Sequence, residues 1–150
     1  MRKDNEIMEM FSATWFLKSQ GIEDATLVHH LSREEQFICD FYIPELSTCL
    51  EVKTVDFYRY KNWPTDFLFS ITSGAIKIVE EGNSFLILIC FPTEKKALFF
   101  DATELVKNMD KGKIRPTEFY VDISSEPLFL IPYGDEMVEL WRERKKVNIY

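Results

Sequence analysis

The sequence predicts an α/β fold, with helices flanking a mixed central β-sheet built from an antiparallel meander and a parallel strand. Three observations carry this. Residues 6–19 place Ile7, Met10, Phe11 and Leu17 at helical spacing ahead of Gly21. Residues 26–55 alternate β-branched and aromatic runs with short polar turns. The run Phe85 to Phe91 is continuously apolar, the pattern of a strand covered on both faces.

Each element follows in order. The first helix spans about Glu6 to Ser19, and Gly21 supplies its left-handed stop. Thr26 to Leu31 and Phe37 to Ile43 form a hairpin around the polar run Ser32-Arg33-Glu34-Glu35-Gln36. Pro44 to Ser47 turns the chain into a third strand, Thr48 to Val55. After the turn Lys61-Asn62-Trp63-Pro64, Asp66 to Thr72 is extended, and Ser73 caps a short helix that ends at Gly82. Ala97 to Phe100 pairs with the apolar strand, and Asp101 with Glu104 resembles a capping box for a helix reaching about Asn108. Phe119 to Ile123 and Leu128 to Ile131 are late strands, and Gly134 to Lys146 a final helix with Met137, Leu140 and Trp141 inward.

With 150 residues, 46% of them hydrophobic, the chain can bury one core and is expected to form a single domain over residues 1–150. Cys39, Cys49 and Cys90 lie in strand-like runs without CxxC spacing, so they are expected to be reduced core residues. The apolar run at 85–91 is too short to cross a bilayer, and no leader-type segment opens the sequence, so a cytoplasmic protein without a membrane partner is expected. The net charge of −7 has the wrong sign for nonspecific coating of nucleic acid. A carboxylate site that awaits a cation is compatible with it. No phosphate-binding glycine loop, zinc pattern or nucleophilic Ser/Cys arrangement is present.

The chemistry concentrates where charged residues interrupt two apolar strands: Asp40 in Phe37 to Ile43, and Glu51 and Lys53 in Thr48 to Thr54. Residues two apart on a strand share a face, so Glu51 and Lys53 project together. Pairing of the strands brings Asp40 to the same patch. Two carboxylates and an ammonium group suit a hard divalent cation with a phosphate beside it. Such a cation polarises the phosphoryl oxygen and acidifies its bound water. Lys53 is placed to position or help deprotonate that water. The plain alternative is a solvated strand face, with Asp40 in a turn contact.

The order glutamate-bearing helix, hairpin, Asp40, turn, Glu51-Val52-Lys53 resembles the PD-(D/E)XK nuclease superfamily, which includes restriction endonucleases and Holliday junction resolvases. The likeness covers roughly residues 6–105. It implies a restriction endonuclease-like core, metal binding by the Asp40 and Glu51 side chains and the Val52 carbonyl, and Lys53 as the catalytic lysine. It also implies Mg²⁺ or Mn²⁺ as cofactor and a small phage-type nuclease that hydrolyses DNA in preference to RNA, with a homodimer possible. A helix-one glutamate often joins such sites; Glu6 and Glu9 both qualify, and the distance from Leu17 and Gly21 favours Glu9. Cys39 stands where the superfamily often has proline, and Phe69-Ser70 where some relatives carry a glutamate. A version without catalysis, binding nucleic acid or a basic protein partner, is the rival expectation.

Three other groups stand out. Arg59, Tyr60, Lys61 and Trp63, with Tyr58, combine cations and aromatic rings suited to phosphate contact and base stacking, or else form a loop over the core edge. Arg142, Arg144, Lys145 and Lys146 suit a solvated helix end. His29 and His30, being adjacent, are expected to point to opposite faces of their strand as ordinary hairpin residues. They should then be unable to hold one metal together, although one could face the cleft near Asp40.

Overall fold

A computed structural model describes residues 2–22, 24–54, 66–91, 96–109, 117–122, 129–130 and 147–149. Helix α1 runs from Arg2 to Ser19 and is followed by β1 (Leu27–Arg33), β2 (Gln36–Ile43), a 3₁₀ turn (Pro44–Leu46), β3 (Thr48–Thr54) and β4 (Asp66–Ile71). Then come α2 (Ser73–Glu80), β5 (Ser84–Phe91), β6 (Lys96–Asp101), α3 (Thr103–Lys107), β7 (Thr117–Asp122), β8 (Phe129–Leu130) and β9 (Val147–Ile149). Seven strands form one sheet in the order β8-β6-β5-β3-β2-β1-β9, and β4 pairs with β7 apart from it.

The sheet is mixed, as expected: β3 lies parallel to β5, and the meander β1-β2-β3 is antiparallel. β5 is an interior strand between β6 and β3, and every residue from Ile87 to Phe91 is buried. Helices cover both faces. Ala13, Trp15, Phe16 and Leu17 of α1 pack with Phe41, Ile43, Leu50 and Val52. Ala75, Ile76, Ile78 and Val79 of α2, with Val106 of α3, pack with Cys49, Ile87 and Ile89. All three cysteines are free and buried.

Local chemistry explains where the elements stop. At Gly21 (φ +72°), Gly21 N–H bonds the Lys18 carbonyl and Ile22 N–H that of Leu17, closing α1 with a Schellman motif. The β1–β2 loop is tighter than the polar run predicts. Arg33 pairs with Gln36, leaving only Glu34 and Glu35, both at positive φ, in a type I′ geometry that suits the twist of a hairpin. A register shift between Leu31 and Ser32 inserts Ile38 as an extra residue in β2, so that Ile38 and Cys39 both enter the α2-side core.

Two caps differ from expectation. Thr72, not Ser73, caps α2, because its Oγ1 accepts the Ala75 N–H at 3.2 Å. No capping box opens α3: Asp101 Oδ1 accepts from the Thr103 N–H at 2.9 Å, two residues on instead of three. The expected helix at 134–146, the turn at 61–64 and the basic residues at 142–146 lie outside the described residues. β9, parallel to β1, has no counterpart in the sequence reading.

Candidate active site

The site is built where β2 and β3 part. Their ladder runs through Ile43–Thr48, Tyr42–Cys49 and Phe41–Leu50, and the following rung would set Asp40 opposite Glu51. There Asp40 Oδ2 instead accepts the Val52 N–H at 2.8 Å, so a side chain replaces a strand carbonyl. Asp40 therefore holds the mouth of the gap open while satisfying a donor on a residue only 6% exposed. A strand residue sends its N–H and C=O toward the same neighbour, so the Val52 carbonyl is directed into this gap as well.

Glu51 is half-buried beside Asp40. Burial pushes its carboxyl well above the ordinary range; the hydrogen bond and charge of Asp40 add to this, the Asp40 backbone N–H opposes it, and the charge of Glu9 contributes a smaller rise. Like charges facing each other across a strand pair destabilise one another. A Glu51 carboxyl raised in this way favours either its own protonated form or a cation beside it. Lys53, two residues along the same face, is partly buried, and burial lowers its ammonium below the ordinary lysine value. A neutral amine is thus more accessible there than on an exposed lysine.

Of the two helix-one candidates, Glu9 adds a small rise to the Glu51 carboxyl through its charge, and the side chain of Glu6 lies outside the described residues. One expectation about its neighbours is corrected. His29 and His30 do not diverge: their ring centroids stand 3.6 Å apart. The cause is the backbone of His30, whose φ of +54° breaks the strand alternation and swings its ring over to that of His29. His29 is buried and stacks on Phe41 at 4.8 Å. One oxygen of Glu9 and one nitrogen from each ring all lie within 4.8 Å of one another. The signal missed in the sequence was the left-handed residue, since nothing in the string Leu27-Val28-His29-His30-Leu31 marks it.

Asp40, Glu51 and Val52 thus come together, and Lys53 follows on the Glu51 face of β3. Arg59, Tyr60, Lys61 and Trp63 lie outside the described residues. The donor set fits a hard divalent cation: two carboxylates whose repulsion it would relieve, and a carbonyl turned into the same gap. Among the described residues no helix is long and apolar enough to cross a membrane. Compared with protein families, characterised proteins and solved structures, the chain matches none.

Proposed function

We propose that the protein is a metal-dependent phosphodiesterase, an endonuclease acting on DNA, with Asp40, Glu51 and Lys53 as its working residues and the restriction endonuclease-like arrangement as its core. The observation that carries this reading is the Asp40 carboxylate lodged on the Val52 N–H where β2 and β3 part, with Glu51 beside it and Lys53 on the Glu51 face. Structural carboxylates are usually set against a cation; these two are set against each other.

In this reading Asp40, Glu51 and the Val52 carbonyl hold Mg²⁺ or Mn²⁺. When bound, the ion supplies charge for the phosphoryl oxygens and lowers the pKa of bound water. The chain's own part is then definable. Asp40 fixes the gap through the Val52 N–H. Glu51, whose carboxyl is raised, would give up its proton to an ion held there. Lys53 holds the attacking water by a hydrogen bond, takes up its proton when the amine is neutral, and as ammonium faces the negative charge that grows on the phosphate. A homodimer would present two such sites to the two strands of a duplex. The chain's net charge of −7 makes recognition local to the site, not general to its surface.

The test is cleavage of labelled single-stranded, duplex and branched DNA and of RNA with Mg²⁺ or Mn²⁺, comparing wild type with Glu51→Ala and Lys53→Ala. Metal-dependent cutting that both substitutions abolish is expected. No cutting of any substrate by the folded wild type refutes catalysis and favours a binding module of the same architecture.

A further inference from the structure

We infer that Glu9, His29 and His30 form a second divalent-metal site, one that takes a first-row transition cation of the Zn²⁺ class in preference to Mg²⁺. Two linked observations support it. The first is proximity: one carboxylate oxygen and two imidazole nitrogens, from α1 and β1, lie within 4.8 Å of one another. Ligands on a tetrahedral Zn²⁺ stand roughly 3.3 Å apart given bond lengths near 2.0–2.1 Å, so the two rings must turn out of their stacked arrangement until the three donors converge.

The second is the backbone. His30 is a non-glycine residue at φ +54° inside a strand, a conformation that opposes the default alternation and brings the rings of successive residues to 3.6 Å. The hairpin turn itself lies at Glu34-Glu35, and His30, only half-buried, precedes the register shift of the β1–β2 ladder at Leu31. What the left-handed backbone achieves is two imidazoles on one side of β1 facing a helix-borne carboxylate.

The donor chemistry sets the selectivity. Imidazole nitrogen suits Zn²⁺ and the neighbouring transition ions, whereas Mg²⁺ requires oxygen and holds its water tightly. Two histidines and one carboxylate leave positions open for water or a phosphate oxygen, as catalytic rather than structural sites do. Phe41 stacks on His29 with ring centroids 4.8 Å apart. With the Asp40–Glu51 pair, this site would give the protein two metal positions of different hardness.

The chain contains two histidines, and both belong to this site, so imidazole resonances report on it alone. We would titrate the ¹⁵N-labelled full chain with Zn²⁺, follow the ring nitrogens by long-range ¹H–¹⁵N NMR, and repeat with Mg²⁺ and with Glu9→Gln. Both rings should shift together with a single apparent affinity, Mg²⁺ at the same concentration should leave them in place, and Glu9→Gln should weaken Zn²⁺ binding by at least about threefold. Zn²⁺ that leaves either ring unmoved, a matching response to Mg²⁺, or a smaller effect of Glu9→Gln overturns the inference. Cleavage is not read in this experiment, so the site and the nuclease reading can fail separately.

Discussion

Replacing Asp40 with asparagine and with alanine separates the two things its carboxylate does. It accepts the Val52 N–H at 2.8 Å, and it places a charge beside Glu51. Alanine removes both and strands a buried donor, which costs about 1–3 kcal/mol. Asparagine keeps an oxygen for that donor, removes the charge and can donate to Glu51. Without metal, Asp40→Asn should therefore be more stable than Asp40→Ala by about 1–3 kcal/mol in urea unfolding, or roughly 2–4 °C in Tm for each kcal/mol at this chain length. With Mg²⁺ at a hundred times its Kd, wild type should gain about 2.7 kcal/mol and both variants far less. Equal stability of the two variants, or a Mg²⁺ gain in Asp40→Asn equal to that of wild type, refutes the reasoning.

Three more outcomes follow from the same geometry. Lys53→Met should lower single-turnover cleavage by about 10²–10⁴-fold while calorimetry finds Mg²⁺ affinity nearly unchanged, since the amine acts on the proton and not on the ion. For pH, the folded Glu51 carboxyl is raised above its ordinary 4.5, so its stabilising contribution is fully present below that value and is lost as pH climbs through the folded value; metal-free unfolding midpoints should fall over that window, and Glu51→Gln should flatten the fall. Glu34 and Glu35 both occupy left-handed backbone, so the double change Glu34→Asn and Glu35→Gly should stabilise the hairpin by about 1 kcal/mol in urea titrations and leave cleavage unaffected.

The sequence makes the sheet strands legible because their burial pattern is written into residue type. Phe85 to Phe91 reads as a central strand and is an interior one, between β6 and β3, and Gly21 marks the end of α1 through the one backbone conformation that glycine adopts freely. The carboxylate site is legible for a related reason: a charged residue in an apolar strand demands a partner, and Asp40 finds the Val52 N–H and Glu51. What escapes the sequence is set by single backbone choices. The left-handed His30 turns two diverging rings into a pair, and the bulge at Ile38 sends successive residues to one core. Cap positions shift by one residue because Thr72 and Ser73 are chemically equivalent until the strand beside them is in place, where Thr72 Oγ1 donates to the Phe37 carbonyl at 2.8 Å. The closing strand β9 is three residues long and gains its place from β1, not from its own pattern.

Single-turnover cleavage of labelled duplex DNA, with Mg²⁺ titrated against wild type and Glu51→Gln side by side, tests the central claim most directly. Wild type should cut with a rate that saturates in Mg²⁺, and Glu51→Gln, equally folded by circular dichroism, should lose at least about a hundredfold of that rate. A rate independent of Mg²⁺, or an undiminished rate in Glu51→Gln, would contradict the assignment of Asp40, Glu51 and Lys53 as a metal-dependent phosphodiester-cleaving centre.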